Sequence, residues 1–260
     1  MHSAVRRFGV LGPPGNTAME YEFPSMLPAG VVFNHNRLSR PGSGITDESL
    51  VAMAKSIDRA AYDLAQAYPE VIVYGCTSGS FLFGIGNEAQ TAQQIAEVTG
   101  IPAVTTSTAV VQALQAVNAR KVALFTPYPD DINHHEVEFL THYGFDVVCV
   151  DSFRRATSEE IRMISSQQVA ELVLRNRANI VNADTVFISC TNLLTVDQLA
   201  RLEAELGKPV ISSNQASVWA ALQAMGIDTQ SVKAGSLFSK KATIQLSKKG
   251  AADETVTHMH

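Results

Sequence analysis

The sequence predicts an α/β protein made of two pseudo-symmetric parallel-sheet, Rossmann-like lobes, with the active site in the cleft between them. Three observations carry this expectation. Two apolar, β-branched-rich runs, Val71-Ile-Val-Tyr-Gly-Cys76-Thr-Ser and Thr185-Val-Phe-Ile-Ser-Cys190-Thr-Asn, look like copies of each other. Each reads as a buried strand, and each ends in a small residue, a cysteine and a threonine. Short apolar runs alternate with helical patterns along the chain, as in sheets built from βαβ units. Finally, two more pairs of segments match in the same order: Phe8-Gly-Val-Leu-Gly-Pro with Val122-Ala-Leu-Phe-Thr-Pro, and Pro102-Ala-Val-Thr-Thr with Pro209-Val-Ile-Ser-Ser.

The elements follow in order. Phe8 to Gly12 reads as the first strand; Pro13-Pro14-Gly15 ends it, and Asn16 or Thr17 caps the next helix. Residues 31–35 form a second strand, and the Gly-, Ser-, Pro- and Arg-rich stretch from Arg37 to Thr46 reads as a surface loop. Thr46 or Asp47 then caps one long amphipathic helix to about Ala67, with Leu50, Met53, Ile57 and Ala61 at helical spacing. After the first cysteine strand come a helix over Glu88–Thr99 closed by Gly100, a strand at Ile101–Thr106, and a helix from Ser107 or Thr108 to about Asn118. The second round repeats the plan. Its strand starts at Val122, its turn is Pro127-Tyr128-Pro129, and a helix runs from about Ile132 to Tyr143. A strand at Asp146–Val150, a helix over about Ser165–Ala178 and the second cysteine strand come next. A helix from Thr195 to Gly207, the strand after Pro209 and a helix over about Ala216–Met225 close the unit. The expected lobes are 1–118, completed by about 216–240, and 119–215, with 241–260 as a flexible tail.

Composition narrows the function. Of 260 residues, 46% are hydrophobic and 17% charged, the profile of a compact globule. A net charge of −5 lacks the basic face that nucleic acid requires, so no nucleic-acid partner is expected. No apolar run reaches the ~18 residues of a membrane span, and no signal-peptide h-region is visible. Three cysteines, an odd number, fit a reducing compartment, so the expected location is cytoplasmic.

Chemistry concentrates at the carboxyl ends of the cysteine strands, where open α/β sheets bind ligands. Two thiols facing one substrate from opposite lobes can exchange protons, or one can attack carbon while the other supplies a proton. Backbone N–H groups at strand ends favour the thiolate. Thr77, Ser78, Thr191 and Asn192 follow the cysteines and can donate hydrogen bonds to a carboxylate or enolate. Asn16, Thr17 and Tyr128 occupy equivalent turns and should face the same cleft. Cys149 alternates within Val147-Val-Cys-Val and reads as core, while His134, His135 and His142 read as a solvated helix face. No HExxH or CxxC occurs, so no metal is expected. The spacing of Gly9, Gly12 and Gly15 is not GxGxxG, prolines occupy the phosphate position, and Walker A is absent, so no cofactor is expected.

These residues also carry a resemblance. Gly-Pro-Pro-Gly-Asn16-Thr-Ala-Met-Glu is similar to the N-terminal signature of maleate cis-trans isomerases. Gly75-Cys76-Thr-Ser-Gly-Ser-Phe, Thr126-Pro-Tyr128-Pro-Asp-Asp-Ile-Asn and Ser189-Cys190-Thr-Asn-Leu-Leu-Thr resemble arylmalonate decarboxylases. Both groups belong to the aspartate/glutamate racemase superfamily, and the likeness spans about residues 8–225. It implies that Cys76 and Cys190 are catalytic, that Asn16 and Tyr128 bind a carboxylate or oxyanion, and that the protein is a homodimer. Thr77 and Ser78 match decarboxylase oxyanion donors, whereas decarboxylases have Gly in place of Cys76. Maleate isomerases have apolar residues after their first cysteine and a Val-Gln pattern where this chain has Thr191-Asn192.

The expected function is a cofactor-independent two-cysteine isomerase or racemase acting on a small carboxylic acid. Two alternatives stand beside it: a decarboxylase of arylmalonate type with Cys190 as proton donor, and a non-catalytic carboxylate-binding protein.

Overall fold

The apolar runs fold as the repeat predicts. The computed structural model describes residues 5–81 and 84–250. Strands β1 (Arg6–Gly12), β2 (Val31–Arg37), β3 (Ile72–Tyr74) and β4 (Ala103–Thr105) form one sheet in the order β2-β1-β3-β4. Strands β5 (Lys121–Thr126), β6 (Asp146–Ser152), β7 (Thr185–Ile188) and β8 (Val210–Ser212) form a second in the order β6-β5-β7-β8, the same plan. Every pairing between these eight strands is parallel, and β3 and β7 dock equivalently: Leu11 opposite Tyr74 in one sheet, Phe125 opposite Ile188 in the other. All residues of β3 and β7 are buried, which is why their sequences run apolar rather than alternating. In each sheet the chain passes from its first strand to one edge and returns on that strand's other side. The crevice at such a switch point opens beyond the carboxyl ends of β1 and β3, and of β5 and β7.

Helices α1 (Ala18–Glu22), α2 (Asp47–Ala54), α3 (Ile57–Ala65), α4 (Ala89–Thr99) and α5 (Thr106–Ala116) belong to the first round. Helices α6 (Asp130–His142), α7 (Ser158–Arg162), α8 (Ser166–Arg175), α9 (Arg177–Ile180), α10 (Val196–Leu206) and α11 (Ser213–Ala224) belong to the second. Helices α5 and α11 pack on each other. Their apolar faces join Phe8 and Val10 of β1 to Val122 and Leu124 of β5 in a single core that includes the fully buried Trp219. Separate cores cover the other faces, Leu11, Ile72 and Tyr74 in one lobe and Phe125, Val186 and Ile188 in the other. The shared core fixes the two switch points relative to one another.

Three details depart from the sequence reading. The long helix expected to about Ala67 is two helices, because the Ser56 hydroxyl donates to the Met53 carbonyl (2.8 Å) and accepts from the Ser39 N–H (2.9 Å). Local side-chain bonds of this kind compete with helix continuation. Helix α11 begins at Ser213 rather than Ala216, started by a capping box between Ser212 and Gln215. In the segment expected to be a flexible tail, Ile244 is buried and Ser247 pairs antiparallel with Ala103, covering the outer edge of β4. Residues 251–260 lie outside the described residues. Among the described residues no helix is long and apolar enough to cross a membrane.

Candidate active site

Each switch point contributes one turn residue and one cysteine. Asn16 follows β1, Cys76 follows β3, Tyr128 follows β5 and Cys190 follows β7, and all four line one cleft. Thr77, Ser78, Thr191 and Asn192 line it too. Thr17 does not: its side chain is exposed, and it takes part only through its N–H, which donates to Asn192 Oδ1 (3.1 Å). The cleft is narrow, with a free volume of about 30 Å³, room for about two waters.

Hydrogen bonds between the lobes shape this site. Asn16 Nδ2 donates to Thr191 Oγ1 (2.9 Å), and that hydroxyl donates to the Gly75 carbonyl (3.1 Å). Asn16 Oδ1 also accepts the Met19 N–H (3.3 Å) and so caps α1, the role expected of Asn16 or Thr17. Ser213 Oγ, at the start of α11, accepts from both Thr77 Oγ1 (3.0 Å) and the Cys190 N–H (3.1 Å), so one hydroxyl ties the two cysteine loops. Cys190 has φ +116°, which non-glycine residues rarely adopt. Such a backbone persists where its surroundings over-determine it, and strain of about 1–3 kcal/mol is characteristic of functional sites.

The thiols are buried and differ electrostatically. Cys76 Sγ accepts the Gly79 N–H (3.3 Å) and lies 3.9 Å from Ser78 Oγ. Burial pushes the Cys76 thiol up, while these donors and the positive charge of Arg40 pull it back. Cys190 Sγ accepts the Asn192 N–H (3.4 Å). Burial pushes this thiol up to about 12, against the pull of the Tyr128 hydroxyl and the Asn192 N–H, and the Cys76 and Glu136 charges push it further. The thiolate expected at both strand ends is therefore the resting form of neither cysteine, because desolvation outweighs the donors at both sulfurs. Only Cys76 has a cation acting on it, so Cys76 is the easier thiol to ionise. Tyr128 is likewise buried and its hydroxyl is held protonated, well above its ordinary value.

Sequence reasoning missed four contributors. Arg40 lines the cleft from the loop read as surface, and Ser158 reaches it from α7. Ser213 was legible in principle, since it follows the strand matched to Ala103–Thr105 in the repeat. Glu136 is fully buried on α6, and when ionised it pushes both Tyr128 and Cys190 away from their charged forms. Cys149 is buried in the second lobe's core, and His134, His135 and His142 are exposed, as read from the sequence. Among the described residues no three His, Cys, Asp or Glu side chains are gathered to hold a metal.

Two parallel sheets of one topology, each presenting a cysteine at its switch point to a common cleft, define a two-thiol α/β protein built by internal repetition. The chain belongs to the arylmalonate decarboxylase family, whose model matches residues 8–238. It is 31% identical over 182 residues to the arylmalonate decarboxylase of Bordetella bronchiseptica, covering 70% of this chain and 76% of that one. It is 26% identical over 249 residues to the maleate isomerase of Geobacillus stearothermophilus, covering 90% and 98% of the two chains. Among solved structures, it is similar to a Nocardia farcinica maleate cis-trans isomerase, a cysteine-to-serine mutant with a covalently bound succinylcysteine intermediate. That match has a TM-score of 0.82 and 25% identity, covering 90% of this chain and 98% of that one.

Proposed function

We propose that the protein is a cofactor-independent cis-trans isomerase of a small unsaturated carboxylic acid, with Cys76 as nucleophile and Cys190 as proton donor and acceptor. The observation that carries this reading is the pair of unlike thiols: burial raises both, but a cation and an N–H pull Cys76 back, whereas Cys190 is pushed up to about 12. The succinylcysteine trapped in the N. farcinica enzyme supports addition of a cysteine to the substrate.

The cycle balances on these two sulfurs. Thiolate Cys76 forms a C–S bond to one alkene carbon, and the π electrons move to the neighbouring carbon and its carboxylate. Cys190 gives that carbon its proton and becomes the thiolate. Rotation about the new single bond follows. Cys190 takes a proton back, the double bond re-forms in the trans arrangement, and Cys76 leaves as the thiolate it began as. Asn16, Thr77, Ser78, Tyr128, Thr191 and Asn192 hold carboxylate oxygens and stabilise the enediolate. With a saturated acid the same pair would racemise, one sulfur removing the α-proton and the other returning one to the opposite face. Maleate followed by proton NMR in deuterated water tests the reading: fumarate should form, and Cys76→Ser should abolish it. Turnover by Cys76→Ser near the unsubstituted rate would refute the two-thiol cycle.

The hydroxyl residues Thr77 and Ser78 beside Cys76 favour a second reading, decarboxylation of a substituted malonate with Cys190 alone protonating the enediolate. It requires that Cys76→Gly retain or gain carbon dioxide release from an arylmalonate. A cycle that needs two free thiols favours a reducing compartment, which we take to be the cytoplasm, and the family resemblance favours a homodimer.

A further inference from the structure

Among the described residues, Arg40 is the one lining the cleft that is charged at neutral pH; the rest of the described lining is neutral donors, acceptors and apolar side chains. It takes part in none of the ion pairs among the described residues. Glu159 feels its charge but is exposed and bound to Ser43. Neighbouring Arg37 shows what a structural arginine looks like in this loop. Its guanidinium is consumed by the Pro14 carbonyl (3.1 Å), the Asn16 carbonyl (2.7 Å) and the Glu20 carboxylate.

Arg40 is held differently. One terminal nitrogen donates to Ser158 Oγ (2.6 Å) and to the Ser43 carbonyl (3.3 Å), while its Nε is buried and has no partner. The loop that carries it is fastened to the opposite lobe, by the Ile45 N–H on the Ala156 carbonyl (2.9 Å) and the Ser158 N–H on the Ser43 carbonyl (3.0 Å). A fixed guanidinium with a buried unpartnered Nε and no carboxylate in ion-pair contact is an incomplete site. A buried donor without an acceptor is costly, and a carboxylate is the acceptor that fits guanidinium geometry.

We propose that Arg40 is the specificity residue of the cleft, binding a second carboxylate of the substrate through the guanidinium donors that Ser158 and Ser43 leave free and so selecting diacids over monoacids. The proposal rests on the reading of the cleft as a site for small carboxylic acids, and adds to it a position for the remote anionic group. That group lies on the loop side, opposite the oxygens served by the cysteine loops. The same charge favours the Cys76 thiolate, so diacid binding and nucleophile strength are coupled through one side chain.

The test is binding rather than turnover, with four-carbon probes that cannot isomerise. By titration calorimetry, succinate should bind the unsubstituted protein at least about 10-fold more tightly than butyrate, and Arg40→Gln should erase that preference. Arg40→Lys, which keeps the charge but lacks the fork, should retain part of it. On the unsubstituted protein, succinate should shield Arg40 from phenylglyoxal, read by peptide mass spectrometry, and butyrate should not. Equal affinity for the two acids, or a succinate preference that survives in Arg40→Gln, overturns the role of Arg40 while leaving the carboxylate site standing. Failure of both acids to bind overturns both. A succinate preference with no turnover of maleate overturns the isomerase reading alone.

Discussion

Replacing Glu136 with glutamine removes an ionisable group from a place where ionisation is penalised. Glu136 is fully buried, neither of its oxygens makes a hydrogen bond, and Ser189 approaches it only closely enough to offset burial weakly. Desolvation pushes its carboxyl from 4.5 up to about 8. The folded chain therefore holds a proton that the unfolded chain releases above 4.5. Between those values the folded state binds more protons, so stability falls as pH rises, from 4.5 up to about 8. At ~1.4 kcal/mol per pH unit, this group destabilises the fold by about 3 kcal/mol at pH 7 and by less than about 1 kcal/mol at pH 5. Glu136→Gln cancels the dependence at nearly constant shape. Urea unfolding at several pH values between 5 and 8 is the assay. The variant should gain about 2 kcal/mol relative to the unsubstituted protein between pH 5 and 7. A difference that stays constant with pH would show that Glu136 is not held protonated in the folded chain. The same side chain matters at the site, since its ionisation pushes Cys190 and Tyr128 further from their charged forms.

Two further substitutions probe other parts of the design. A Cβ at position 79 would meet Tyr74 Oη at 2.7 Å and Cys76 Sγ at 2.9 Å, so Gly79→Ala should displace Cys76, the proposed nucleophile. Its kcat should fall at least about 10-fold with little change in the far-ultraviolet circular dichroism, since a misplaced reacting group loses most of its orientation advantage. Glu22 is buried in α1 and reaches across to α10, accepting from the Thr195 N–H, the Val196 N–H (2.8 Å) and Asn214 Nδ2 (2.6 Å). It supplies the cap that Thr195 does not, so Glu22→Ala should lower stability by about 2–3 kcal/mol in denaturant unfolding.

How far the molecule was legible follows from which signals are local. The two sheets could be read because a strand buried on both faces must be apolar, and Val71–Tyr74 and Thr185–Ile188 are. The switch-point residues could be read because Asn16, Cys76, Tyr128 and Cys190 all sit directly after such strands. Other features depend on contacts that no local pattern encodes. Arg40 sits 36 residues from Cys76 in a Gly- and Pro-rich loop, and only the docking of that loop on Ala156–Ser158 turns it into the cleft. Ser213 gains its role from two partners far away in sequence, Thr77 and Cys190. The thiolate expectation failed for a related reason: strand-end N–H donors are visible in the sequence, while the depth of burial that outweighs them is a property of the closed cleft.

The proposed cycle requires that Cys76 add covalently to the substrate while Cys190 moves the proton. Cys190→Ala, incubated with maleate and read by intact and peptide mass spectrometry, tests it most directly. A mass increase equal to one maleate is expected on the peptide that contains Cys76, the neighbouring carbon taking its proton from water in place of Cys190, with no comparable adduct in Cys76→Ala. An adduct confined to another residue, or conversion of maleate to fumarate by Cys76→Ala, would contradict it.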